Sequence, residues 1–219
     1  MLSDRMAKQN TKIEKKEERK EMRVGGISTK TMGITLVGTS PLITHKFSTR
    51  QKETVLAKQM KKADRPVGRS AKDPEQDYQD SIYFLKDGRY GFPVSAFKNA
   101  AVDACTFMDK LPKTLARGAF HIIDESGEGL LPIEGSKPYK REDIVRLGGM
   151  GSPADIRYRG CYPIGWKVRL LITYNENAIS PEQIAQLFNT AGFGVGIGDW
   201  RPQNNGSCGM FKVDGKGNE

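Results

Sequence analysis

The chain has 219 residues, 37% of them hydrophobic and 28% charged, and its 35 Lys and Arg outnumber 26 Asp and Glu to give a net charge of +9. That length suits one domain with embellishments, and a basic excess of this size points to polyanionic partners or anionic surfaces. Three scattered cysteines (Cys105, Cys161, Cys208), two histidines and no CxxC pair argue against a structural zinc centre or a disulfide framework, and no run reaches the roughly 18 apolar residues of a membrane helix.

The polar N-terminus lacks the apolar core of a signal peptide, so the expectation is a cytoplasmic protein with no metal, cofactor or membrane contact. Residues 1–30 are a mixed-charge run too poor in apolar residues for a helical stripe. They read as a flexible, disordered or loosely helical arm closed by Gly25-Gly26. Extended structure is expected over 31–37, ahead of a turn at Gly38-Thr39-Ser40-Pro41. Residues 46–72 then carry nine basic side chains (Lys46, Arg50, Lys52, Lys58, Lys61, Lys62, Arg65, Arg69, Lys72) against only Glu53 and Asp64. Their first half suits a helix over 49–62, and the remainder, with Pro and Gly, a mobile loop. A solvated helix face normally mixes signs and this one hardly does, so 46–80 is read as a basic insertion that contacts phosphates.

Residues 81–85 and 89–92 flank Lys86-Asp87-Gly88, the pattern of a β-hairpin. Pro93 suits the first position of a helix running to about residue 107, with Val94, Phe97, Ala101, Ala104 and Met108 recurring on its core face. A short strand is expected over 120–124, and the Gly- and Pro-containing segment 125–153 reads as an irregular insertion, with short strands or a loop excursion over 127–149. In 164–174 the even positions Trp166, Val168, Leu170, Ile172 and Tyr174 are apolar and the odd positions Lys167, Arg169 and Thr173 polar. That is a half-buried strand with one basic face. Arg157 and Arg159 alternate with Ile156 and Tyr158 just upstream, and an unbroken pleat would put all four cations on one sheet surface. Ser180, Pro181 and Gln183 then mark a helix start with a capping box; Ile184, Leu187, Phe188 and Ala191 form its buried stripe, and Gly192 its end.

The segment from Gly192 through Gly194, Gly196, Gly198, Trp200, Arg201 and Gly206 to Gly209 separates this helix from a last strand over 210–213, with 214–219 a tail. Glycine lets backbone approach another surface and turn N–H groups toward anions. A dinucleotide fold is argued against by context, because its GxGxxG follows a strand and opens a helix. A P-loop is argued against by the missing Gly-Lys-Ser/Thr. The order of elements describes an α+β chain with a ferredoxin-like or RRM-like βαββαβ core carrying insertions.

With its glycine-rich loop between second helix and last strand, the chain resembles the RAMP superfamily, which includes the backbone subunits of CRISPR effector complexes. The run Gly196-Ile-Gly-Asp-Trp-Arg-Pro is also similar to small phage proteins. The resemblance spans roughly residues 31–213, and only the C-terminal motif in it is specific. It implies a non-enzymatic subunit that holds single-stranded RNA, or in a phage setting DNA, by its backbone. Such a subunit stacks head to tail into a filament with copies of itself or other subunits of a nucleoprotein complex. The insertion at 46–72 would grip the strand.

For base contacts, Tyr158 between Arg157 and Arg159, and Trp200 beside Arg201, combine an aromatic surface with cations; Trp166 belongs to the core. Two alternatives remain. His45, beside Lys46, would serve a metal-independent ribonuclease, or the basic surface would meet acidic partners in a phage structural assembly. His121 falls in an apolar strand and reads as a packed core residue, and Asp124, Glu125 and Glu128 as a solvated turn rather than a metal site.

Overall fold

A computed structural model describes residues 26–60, 72–109, 111–146, 151 and 153–215. In chain order come β1 (Thr29–Gly38), β2 (Leu42–Ile43), α1 (Thr49–Gln59), α2 (Pro74–Asp80), β3 (Tyr83–Phe84), β4 (Tyr90–Pro93) and α3 (Val94–Ala104). They are followed by α4 (Lys113–Ala119), β5 (Phe120–Ile123), β6 (Leu130–Pro132), β7 (Tyr139–Arg146), β8 (Ala154–Tyr162), β9 (Lys167–Asn175), α5 (Pro181–Gly194) and β10 (Phe211–Val213).

The alternation in β9 organises the molecule. β9 lies between β1 and β5, and β10 closes the far side of β1, giving the all-antiparallel order β10-β1-β9-β5. Its apolar positions meet apolar partners: Leu36 lies opposite Val168, Ile34 opposite Leu170 and Ile122 opposite Ile172. Helices α3 and α5 contact each other, and their buried residues join that face in one core. Read as β1-α3-β5-β9-α5-β10, the chain is a ferredoxin-like βαββαβ unit of the α+β class, as its element order implied. Of the arm read over 1–30, the first 25 residues lie outside the described residues, and Thr29 and Lys30 are not part of a flexible arm but begin β1, opposite Asn175 and Tyr174 of β9.

The helix ends are set locally. Ser180 Oγ accepts from Gln183 N–H at 3.2 Å while Gln183 Oε1 accepts from Ser180 N–H at 2.9 Å, which is the expected capping box. Gly192 does not end α5, which runs two residues further. A Cβ at Gly192 would collide with the Phe211 carbonyl, so this glycine lets β10 pack against the helix. Trp166 is core, as expected; it is 1% exposed and donates its indole N–H to Ser40 O at 2.9 Å.

Two expectations are corrected here. The segment read as an irregular insertion with short strands or a loop excursion holds the short β6, but also the eight-residue β7, which pairs with β8 along its whole length. Most side chains of β7 are exposed or half-buried, so it lacks the apolar alternation that reveals a strand resting on a core. The four cations also do not share one surface. β8 belongs to a separate β2-β8-β7 sheet, and the chain turns through Pro163, Ile164 and Gly165 (φ 91°) before β9 begins.

Candidate functional site

The loop leaving α5 is stitched to its surroundings. Ile197 N–H donates to Gly209 O at 3.0 Å, Asp199 N–H to Ile43 O at 3.1 Å and Gly209 N–H to Pro41 O at 2.7 Å. Gly198 has φ 75°, and a Cβ there would lie 2.5 Å from Ile43 O, so only glycine fits. The glycines expected to cradle anions are engaged differently. Gly194 is the last residue of α5 and packs near Phe107, Gly196 N–H donates to Ala191 O at 2.8 Å, and Gly198 backs onto β2. A segment wedged between strands has to satisfy its backbone internally, so the loop is a packed wall.

Trp200 stands on that wall. Its φ is 56°, a left-handed conformation that disfavours a bulky side chain, and it is 41% exposed. The guanidinium carbons of Arg141 and Arg159 lie 5.1 and 5.5 Å from its ring centroid, within cation–π range. Those arginines face each other across the β7–β8 pair. Arg159 is buried at 2% exposure and donates to Asp143 Oδ2 at 2.6 Å and Asp199 Oδ2 at 2.5 Å. Arg141 Nε donates to Asp143 Oδ1 at 3.0 Å.

Asp199 joins this network to His45, whose Nδ1 lies 3.2 Å from Asp199 Oδ2. Burial pushes the Asp199 carboxyl up, but the contacts with His45 and Arg159 outweigh it and hold the group below its ordinary value. Beyond Asp199, between α3 and the loop, opens a cleft of about 700 Å³. Ser95, Lys98 and Asn99 line it from α3, Arg117 from α4, and Asp199 and Arg201 from the loop. Lys98 Nζ donates to Ala116 O at 2.9 Å and to Phe120 O at 2.5 Å, and sits 3.4 Å from the Phe120 ring centroid. Its burial lowers the ammonium pKa to about 8.

The expected contacts divide into several groups. Lys167 and Arg169 are exposed on the sheet face away from the helices, and among the described residues neither has a carboxylate within 4.0 Å. Lys212, which sequence reading missed, extends this row, since both Lys167 and Lys212 register with Val37 of β1. Arg159 is a correction: as a buried partner of two carboxylates it is closed to a ligand. Arg201 braces the loop, donating to Gly198 O at 3.1 Å and to Gln203 Oε1 at 3.1 Å. Arg157 is half-buried with Asp155 3.9 Å away, and Tyr158 points to the opposite side of β8 from both arginines.

In the basic insertion, Lys46 is half-buried and Lys52 exposed on α1. Lys61, Lys62, Arg65, Arg69 and the side chains of Arg50 and Lys58 lie outside the described residues. Lys72 is tied to β8 through Asp155 at 2.6 Å. His121 is exposed, not packed, because Phe120 and Ile122 take the core phase of β5. Asp124 accepts from Ser126 N–H and Gly129 N–H within its own turn. Among the described residues no group of three His, Cys, Asp or Glu could hold a metal, and no helix is long and apolar enough to cross a membrane.

The chain is thus an α+β protein with a ferredoxin-like core and a glycine-rich loop carrying an exposed tryptophan. No family model and no curated protein sequence matches it. Among solved structures it is similar to Cmr6 from Pyrococcus furiosus, at 11% identity and a TM-score of 0.42, covering 86% of this chain and 100% of that one.

Proposed function

We propose that this protein binds single-stranded nucleic acid without cutting it, holding the phosphate backbone with little sequence preference and resting a base on Trp200. The observation that carries the reading is Trp200 itself, half-exposed in a left-handed conformation and backed by two guanidinium groups. Strain at a side chain presented to solvent accords with a functional demand on that side chain. An aromatic ring beside cations is what base stacking without sequence readout requires. Lys167, Arg169 and Lys212 supply phosphate contacts on the open sheet face. Exposed apolar side chains at Phe47, Val55 and Leu56 near one helix and at Phe107 and Phe193 elsewhere suit head-to-tail assembly of copies along the strand.

Anisotropy of labelled single-stranded RNA and DNA at rising salt tests this. Three phosphate contacts give a log–log salt slope of about −2 for a single strand, and Lys167→Glu with Arg169→Glu flattens it. Absent binding, or binding indifferent to salt, overturns the reading.

The His45–Asp199 contact favours a second reading. A carboxylate that accepts a hydrogen bond from Nδ1–H fixes the tautomer and leaves Nε2 as a base at the cleft, the arrangement that acid–base cleavage of RNA needs. Labelled RNA incubated with chelator separates the two: cleavage abolished by His45→Ala supports a ribonuclease, and intact RNA supports a binder.

A further inference from the structure

We propose that the cleft between α3 and the glycine-rich loop is a pocket for one phosphorylated nucleoside unit, with the phosphate held at Lys98 and Arg117 and the base edge met by Asn99 and Ser95. This deepens the strand-binding reading and rests on it.

Size is the first ground. A cleft of about 700 Å³ falls within the range of small-molecule sites, roughly 300–1,000 Å³. Charge is the second. The two acids lining the cleft are already engaged: Asp103 by Lys113 at 2.9 Å and Gln203 at 3.0 Å, and Asp199 by Arg159 and His45. Lys113 and Arg159 cancel their charges from outside the lining, while His45 meets Asp199 from within it. What remains is Lys98, Arg117 and Arg201, the last hydrogen-bonded to Gly198 O and Gln203, and Arg117 is exposed with no carboxylate within 4.0 Å among the described residues. The cleft therefore carries surplus positive charge and favours an anion.

Preorganisation is the third ground. Lys98 Nζ is held by two carbonyls, one of them that of Ala116, so Lys98 is anchored to the helix that carries Arg117. Half-buried, Lys98 has lost part of its hydration and has only neutral carbonyl partners, so a phosphate would give it an anionic one. Ser95 and Asn99 stand one helical turn apart on α3, both exposed, and offer a hydroxyl and an amide that can donate and accept. An anion with a hydrogen-bonding edge matches this lining, and a nucleotide has both parts.

Calorimetric titration of the full chain with nucleoside monophosphates, the unphosphorylated nucleosides, inorganic phosphate and a short single-stranded oligonucleotide tests the assignment. The monophosphates are expected to bind, with affinity falling at least tenfold in Arg117→Glu and severalfold in Asn99→Ala. Both positions are exposed, and an unchanged circular-dichroism spectrum and Tm confirm the variants' fold. Monophosphate binding that is absent or indifferent to both substitutions overturns the proposal. So does inorganic phosphate binding as tightly as the monophosphates, because the base edge would then contribute nothing. Competition by the oligonucleotide makes the ligand a unit of the strand, and its absence makes it a free nucleotide. If oligonucleotides bind with salt dependence and monophosphates do not, the pocket fails and strand binding stands. The reverse result leaves the pocket and removes strand binding.

Discussion

Removing the charge of Asp143 while keeping its shape, as Asp143→Asn, should destabilise the protein and loosen the base beneath Trp200. Four charges meet there, Arg141 and Arg159 against Asp143 and Asp199, and they cancel. The side chains of Arg159 and Asp143 are 3% and 5% exposed, whereas Asp199 is 31% exposed. After the substitution Arg159 retains only the more solvated of its two partners. Breaking a buried pair costs about 3–5 kcal/mol, and the surviving Asp199 contact places this case near 3 kcal/mol. For a chain of this size that is roughly a 6–12 °C fall in Tm. Urea unfolding followed by circular dichroism gives the free energy directly. Adding Arg159→Met removes the uncompensated buried cation, so the double variant should lose less than the sum of the singles, with a coupling of about 2 kcal/mol. A loss below about 1 kcal/mol for Asp143→Asn, or singles that simply add, would refute the buried network.

Trp200→Ala should weaken single-strand affinity by about 1–3 kcal/mol, the contribution of one stacked base, while leaving the salt slope unchanged; a change in slope without loss at low salt would contradict the stacking role. Gly198→Ala should cost at least about 2 kcal/mol, because it adds left-handed strain to a collision with Ile43 O; thermal unfolding within a degree of the parent would refute the close fit. The depressed Asp199 carboxyl contributes stability that is present above its unfolded value and lost as pH falls through its lower folded value. Urea midpoints should therefore drop below about pH 4, and less steeply in Asp199→Asn, whereas matching profiles would show that Asp199 does not contribute.

Sequence by itself determined the scaffold, because those signals are local and repeat along the chain. Alternation in β9 announces which of its faces meets the helices, and Ser180, Pro181 and Gln183 announce the start of α5 within four residues. Strand β7 escaped notice because its pleat rests on little core, so alternation had no burial to record. Only the tertiary structure decided the fate of individual side chains. Arg157, Arg159, Lys167 and Arg169 look alike in sequence, yet the turn before β9 sends them to two sheets. Arg159 meets Asp143 and Asp199 in the interior, while Lys167 and Arg169 stay in water. His45 gained its carboxylate from a residue 154 positions away, and Lys98 gained its carbonyls from a second helix and the strand after it. A charged side chain is buried only where partners from distant segments compensate it, and which segments those are is set by sheet order and register.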